Sequence, residues 1–169
     1  MAVREVLRYP HPALKRTARA LDPATERDQV ARVATDLLDT MRASPGCVGV
    51  AAPQLGEPVR MVVVDVTGHR KASAVHGLLL LVNPRLTGSE ETEVAREGCL
   101  SIPDLTANVR RAVSVELEAI DPDGGAVRLD TEGFEARCLL HEVDHLDGLL
   151  FLDRVDSLVD DVFRRKRSS

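Results

Sequence analysis

The five residues His141–His145 constrain the fold more than any other segment, because their H-E-x-x-H order carries chemistry only on a helix. Side chains at i and i+4 lie on one helix face, so His141 and His145 can bind the same metal ion. Glu142 lies beside them, where it can take a proton from a metal-bound water. The alternative is two unrelated histidines on an amphipathic helix. The leucines around the pair favour the metal site, because buried imidazoles need polar partners.

A catalytic metal site of the zinc type usually has three protein ligands. One class of zinc proteases places its third histidine at the position that Phe151 holds here, and phenylalanine cannot bind a metal. Cys99 is the best candidate, because a thiolate with two imidazoles suits Zn, Fe(II) or Ni. The alternative is that Cys99, like Cys47 and Cys138, is a small buried apolar side chain.

A third segment, residues 46–56, is rich in small residues and ends near Gln54. A substrate backbone could lie closely along it, and the Gln54 amide could donate a hydrogen bond. The alternative is a glycine-rich turn after a helix.

The apolar pattern predicts an α+β fold rather than alternating βαβ units, because strands cluster between helices. Apolar residues at helical spacing predict a first helix over 25–43, which Ser44-Pro45-Gly46 ends. Strands are predicted at 60–66, 77–82, 112–120 and 126–131, with Asn83-Pro84 ending the second. A second helix is expected from about 133 to 147, with Gly148 as its stop, and a short third helix over 156–165.

Length and composition predict one domain over residues 1–169 with a basic tail from about 164 to 169. A net charge of −5 argues against a general DNA or RNA binder. The chain has no apolar run long enough for a membrane span and no signal-peptide pattern. Three cysteines suggest reduced thiols rather than a disulfide scaffold. A cytoplasmic protein is therefore expected.

Together, the segments Val48–Gln54, Glu97–Ser101 and His141–His145 resemble the three ordered motifs of peptide deformylases. The similarity runs from the first helix to past Arg154. It implies antiparallel strands packed around a central helix that carries the H-E-x-x-H motif.

The resemblance implies a role for each matching residue. Cys99, His141 and His145 hold the metal, and Glu142 is the general base and later the acid. Gln54 and the backbone N–H of Leu100 bind the oxyanion. The remaining implied roles are substrate-backbone binding by Val48 and Gly49, a methionine-pocket position at Cys138, and an ion pair between Glu97 and Arg111. Glu97 and Asp144 are also candidates for orienting the imidazoles, and the alternative is that each is a surface or ion-pair residue.

The implied activity is removal of the N-formyl group from the N-terminal formylmethionine of new polypeptides, with release of formate. The family uses one divalent ion, with Fe(II) expected in the cell and Zn or Ni in purified protein. Two positions depart from the family pattern: Cys47 replaces a glycine, and Leu140 replaces a glutamine. Cys47 leaves open a specialised or inhibitor-resistant relative, and another metal-dependent peptidase or amidohydrolase is the remaining alternative. The basic residues Arg164–Arg167 are interpreted as a solvated tail or as a weak ribosome contact.

Overall fold

A long antiparallel hairpin is the largest element of the computed structural model, which describes residues 3–165. The helices are α1 (Arg27–Ala43) and α2 (Gly133–Leu146). The strands are β1 (Gly49–Ala51), β2 (Met61–Val64), β3 (Leu79–Cys99), β4 (Ile102–Ile120), β5 (Ala126–Glu132) and β6 (Val162–Arg164). Short 3₁₀ turns cover Pro12–Lys15, Ala52–Leu55 and Phe151–Arg154.

The strands form one antiparallel sheet in the order β1-β2-β3-β4-β5, and β6 pairs with β4. Helix α2 packs against β1, β2, β4 and β5. The expected α+β class with antiparallel strands is confirmed. Neither α1 nor α2, nor any shorter helical turn within residues 3–165, could cross a membrane.

The core consists of apolar side chains on one face of each helix and on the strands beneath them. On α1, the buried set includes Val30, Val33 and Leu37, which repeat at helical spacing. Leu139 and Leu146 of α2 pack into the same cluster as buried residues of β2, β3, β4 and β5. These apolar contacts hold α2 against the sheet.

The prediction that Asn83-Pro84 ends a strand is wrong, because β3 continues to Cys99. Asn83 takes φ 52°, a conformation that asparagine tolerates, and the register with β4 shifts between Val82 and Arg85. A bulge of this kind absorbs the proline without ending the pairing.

The predicted third helix over 156–165 is also wrong. The Asp161 N–H donates to Ser157 O in a turn, and Val162–Arg164 then form β6 against Leu105–Ala107 of β4. Pairing of residues 162–164 with the open edge of β4 prevails over a helical pattern of less than three turns, which is too short to be stable without packing. Arg165 follows β6, whereas residues 166–169 of the predicted tail lie outside the described residues.

Candidate metal centre

Cys99, His141 and His145 meet at one buried point, although Cys99 precedes His141 by 42 positions in the sequence. Their ligand atoms all lie within 4.8 Å of one another, and Cys99 Sγ is 3.4 Å from His145 Nε2. Cys99 ends β3, and the two histidines lie one turn apart on α2. A thiolate with two imidazoles is a donor set that binds Zn, Fe(II) or Ni.

Two buried polar atoms beside this point have no hydrogen-bond partner among the described residues: Glu142 Oε1 and His145 Nδ1. Burial raises the pKa of Glu142 to about 7. A buried carboxylate oxygen without a partner requires another polar group, such as a water or a substrate atom. The residues therefore fit a bound ion with a reacting molecule next to it.

Glu97 holds His141 in a fixed orientation. His141 Nδ1 lies 2.8 Å from Glu97 Oε1, so Nε2 is the nitrogen left for a metal. Arg111 and Arg137 each donate to Glu97 Oε2 at 2.7 Å. Burial opposes ionisation of Glu97, but hydrogen bonds from His141 and Arg111 hold its pKa well below the usual range.

The ion pair of Glu97 with Arg111, expected from the resemblance, is present in the structure. Arg111 also donates to Asp144 at 2.6 Å, and Arg154 donates to the same carboxylate. The side-chain partners described for Asp144 are therefore these two arginines and not an imidazole.

Arg137 is a partner of Glu97 that none of the sequence motifs indicated. Arg137 is buried and lies four residues before His141, on the same face of α2. An arginine on the buried face of a helix is rarely unpaired, which is the signal that could have revealed it.

Gln54 lies in the 3₁₀ turn after β1, and its amide orientation is determined by its neighbours. Its Oε1 accepts from Ala51 N at 2.9 Å. Its Nε2 therefore points toward Cys99 Sγ at 3.5 Å and donates to Ser101 Oγ at 3.1 Å. The donor end of the amide is held beside Cys99, one of the three candidate metal ligands. Ser101 is a further residue of the site, and no role for it was predicted from the sequence.

A cavity of about 200 Å³ opens onto this point. One wall comes from the segment before β1 and the other from the end of β3. Residues 93–98 of β3 pair with β4 only, so their other backbone edge is unpaired in the sheet. The residues singled out from the sequence as candidates for the site that line the cavity are Cys47, Val48, Gly49, Gln54, Glu97, Cys99, Leu100, Cys138, His141 and Glu142. His145 contacts Cys99 but does not line the cavity.

Gly49 lies against the Glu142 carboxylate. A Cβ at position 49 would be 2.8 Å from Glu142 Oε2, so a larger residue there would displace the carboxylate. The neighbouring Cys47 donates from Sγ to Gly49 O at 3.2 Å. Burial raises the pKa of the Cys47 thiol to about 12, which keeps it protonated at neutral pH.

A buried cysteine and two histidines, beside a buried carboxylate with an unpaired oxygen in a cleft, define a metal-dependent hydrolase. Comparison with known proteins identifies which one. The polypeptide deformylase family model matches residues 3–161. The chain belongs to this family.

Several relatives named peptide deformylase match this chain over nearly their whole length. The chain is 37% identical over 167 residues to the peptide deformylase of Brucella suis biovar 1, covering 98% of this chain and 92% of that protein. It is 40% identical over 169 residues to the peptide deformylase of Desulforudis audaxviator, covering 98% and 99%.

Solved structures of peptide deformylases have the same fold as this chain. A peptide deformylase from Legionella pneumophila superposes with a TM-score of 0.81 at 35% identity, covering 92% of this chain and 88% of that one. A class I type b peptide deformylase from Acinetobacter baumannii, crystallised with Met-Ala-Ser bound, superposes with a TM-score of 0.82 at 32% identity, covering 90% and 99%.

Proposed function

We propose that this chain hydrolyses the formamide bond of N-formylmethionyl polypeptides, with Cys99, His141 and His145 as metal ligands and Glu142 as the proton-transfer group. The observation that carries the proposal is the Glu142 carboxylate. It is buried beside the three donor atoms, it has an oxygen without a partner, and its pKa is raised to about 7.

A bound divalent ion supplies positive charge that acidifies water and stabilises negative charge on an oxygen. Glu142 accepts a proton from the attacking water, because a base with a pKa near the working pH is the most efficient one. The water oxygen bonds to the formyl carbon, and the C–N bond breaks. Glu142 returns the proton to the leaving nitrogen. The products are formate and a peptide with a free N-terminus.

Negative charge on the formyl oxygen is stabilised by two donors of this chain in the proposal, Gln54 Nε2 and the Leu100 N–H. The contact of Gln54 Oε1 with Ala51 N supports this role, because it aims the donor end at the ligands before substrate arrives. Loss of one such donor in other enzymes slows the reaction by about 10²–10³-fold.

The substrate backbone is proposed to lie as an added strand between Val48–Gly49 and the unpaired edge of β3, since extended peptides pair with open strand edges. Cys138, buried in the cavity wall, is proposed to contact the methionine side chain. The Met-Ala-Ser complex of the Acinetobacter baumannii relative supports this class of ligand, because that tripeptide is what remains after deformylation of formyl-Met-Ala-Ser.

Fe(II) is the proposed ion in the cell, with Zn or Ni as substitutes in purified protein, and one catalytic domain is proposed for residues 1–169. A cytoplasmic location follows from a substrate that is a new polypeptide, and the three free cysteines agree with it. The ribosome contact through Arg164–Arg167 stays a prediction, and Lys166 and Arg167 lie outside the described residues.

The test is formate release from formyl-Met-Ala-Ser by protein prepared without oxygen and loaded with Fe(II). Acetyl-Met-Ala-Ser and unformylated Met-Ala-Ser serve as control substrates. Release from the formyl peptide alone supports the proposal, and cleavage of the unformylated peptide would favour a peptidase instead.

The variant Glu142→Gln tests the proton-transfer role. We expect one metal per chain to remain bound and turnover to fall by about 10²–10⁴-fold, the range for loss of a general base. Glu118→Gln, a partly exposed position on β4, is the matched control and should keep wild-type turnover. Wild-type turnover in Glu142→Gln would refute the assignment.

A further inference from the structure

The C-terminal strand brings an arginine to the mouth of the proposed active site. β6 pairs with β4, and the Arg165 N–H that follows donates to Asp104 O at 2.9 Å. This pairing directs the Arg165 side chain across β4 to β3, where it lines the cavity together with Cys99 and Glu142.

Arg165 contacts β3 at a glycine. A Cβ built on Gly98 would lie 1.9 Å from Arg165 Nη2, so the guanidinium lies directly against the backbone of position 98. Gly98 belongs to the part of β3 whose outer edge is unpaired in the sheet. The positive charge therefore lies next to the proposed path of the substrate backbone.

Arg96 adds a second positive charge to the same rim. Its guanidinium stacks on the Phe163 ring at 3.9 Å and donates to Asn108 and Thr106, which are neutral. None of the ion pairs described within residues 3–165 includes Arg96 or Arg165, and Asp104, whose backbone oxygen accepts from the Arg165 N–H, has a partner of its own.

The acidic side chains of the cavity do not neutralise the positive charge of Arg96 and Arg165. Glu97 is buried and already bonded to Arg111, Arg137 and His141. Glu142 is buried at the inner end. The exposed rim thus presents two arginines to an arriving peptide, and a carboxylate is the peptide group that complements them.

We propose that Arg165, assisted by Arg96, selects N-formylmethionyl peptides that carry an aspartate or glutamate in the first two residues after the formylmethionine. The inference rests on the proposed function. Arg165 is a specificity residue in it, with no part in proton transfer.

The experiment compares kcat/KM for amidated peptides that differ only in charge: formyl-Met-Asp-Ser and formyl-Met-Ala-Asp against the same peptides with lysine. Amidation removes the terminal carboxylate, which would otherwise bind the arginines in every peptide. For Arg165→Gln we expect the aspartate-to-lysine ratio to fall by about two- to fivefold, through KM rather than kcat, since exposed charge pairs contribute about that much. At about 0.5 M salt the wild-type ratio should shrink in the same way.

Arg164→Gln is the matched control. Arg164 is adjacent to Arg165, is exposed and does not line the cavity. Its substitution removes the same charge, so the aspartate-to-lysine ratio of this variant should stay at the wild-type value. Arg165→Glu should go further and favour the lysine peptides.

An unchanged ratio in Arg165→Gln would overturn the inference. So would an equal loss on acidic, neutral and basic peptides accompanied by weaker ribosome binding, which would assign the arginine to RNA phosphates. The neutral peptide formyl-Met-Ala-Ser-amide keeps the two proposals apart. Its turnover by the wild type tests deformylation, whereas only the charge ratio tests Arg165.

Discussion

At the scale of single residues, the space around the Glu142 carboxylate is set by its neighbours. Gly49 touches it from the β1 side, where a methyl group would lie 2.8 Å from Oε2. Glu97 acts one step further out, through His141. Each contact yields a prediction that does not require replacing a metal ligand.

Gly49→Ala should displace the Glu142 carboxylate, because the added Cβ overlaps Oε2. Misplacement of a reacting group by about 1 Å can slow an enzyme by about 10²-fold, so we expect a loss of that order in kcat with formyl-Met-Ala-Ser. Gly88→Ala is the control, because it also lies in a strand and meets only the Glu116 side chain. Equal activity of the two variants would show that Glu142 tolerates the shift.

Glu97→Gln should weaken metal binding while leaving all three ligands in place. The neutral amide no longer holds His141 Nδ1 as a charged acceptor, and loss of such an outer contact typically lowers metal affinity by about 10–100-fold. Competition with a chelator, followed by metal analysis, measures the change. The exposed neighbour Glu93→Gln should retain wild-type affinity, and a Glu97→Gln protein with undiminished affinity would contradict the orienting role.

At the scale of elements, α2 ends where a neighbouring segment passes very close. Gly148 takes φ 74°, as expected for the residue that stops this helix. The tertiary structure adds a second requirement, since a Cβ there would be 2.6 Å from the backbone oxygen of Lys15.

Gly148→Ala should therefore destabilise the protein more than backbone strain alone predicts. Gly46→Ala is a matched control, because Gly46 has the same φ of 74° and nothing within 4 Å of an added Cβ. We expect both variants to lose about 1–2 kcal/mol from the left-handed backbone and Gly148→Ala to lose about 1–3 kcal/mol more from overpacking. Urea unfolding measures both, and equal losses would refute the close-approach argument.

The helices and strands also differ in how far the sequence predicted them. The 3.6-residue period of α1 and the alternation at residues 112–120 are local signals, and the structure has both elements. Much of β3 was missed, because residues 87–95 are mostly exposed and polar and carry no apolar alternation. Their strand conformation depends on pairing with β4.

At the scale of the whole molecule, ion pairs hold the N-terminal segment to α1 and to the turn before β2. Arg4 and Arg32 both contact Glu57 Oε1, at 3.1 and 2.6 Å. The hydrogen bond from Arg32, and then that from Arg4, lower the pKa of Glu57 despite partial burial. A carboxylate whose pKa is lowered by folding stabilises the protein above its unfolded pKa and loses that contribution as the pH falls.

Glu57→Gln should consequently make the free energy of unfolding less dependent on pH in the acid range. Because the unfolded pKa of glutamate is about 4.3, the wild type should lose this contribution as the pH falls from about 5 to 3. At pH 7 the variant should be less stable by about 1 kcal/mol or less, since the pair is partly exposed. Thermal unfolding from pH 7 to pH 3 measures it, with the exposed Glu5→Gln as control. Parallel curves for Glu57→Gln and the wild type would contradict the linkage.

The sequence by itself determined the chemistry that this chain can offer: two histidines at helical spacing with a glutamate between them, a cysteine in a short glycine-containing segment, and small residues before Gln54. These signals are local, because a helical period and a motif need no distant partner. Only the tertiary structure decided that Arg137 completes the contacts of Glu97, that the last strand pairs with β4, and that Arg165 reaches the cavity. Those contacts join segments 40 to 67 residues apart, and their partners are selected by strand pairing and burial rather than by any pattern within one segment.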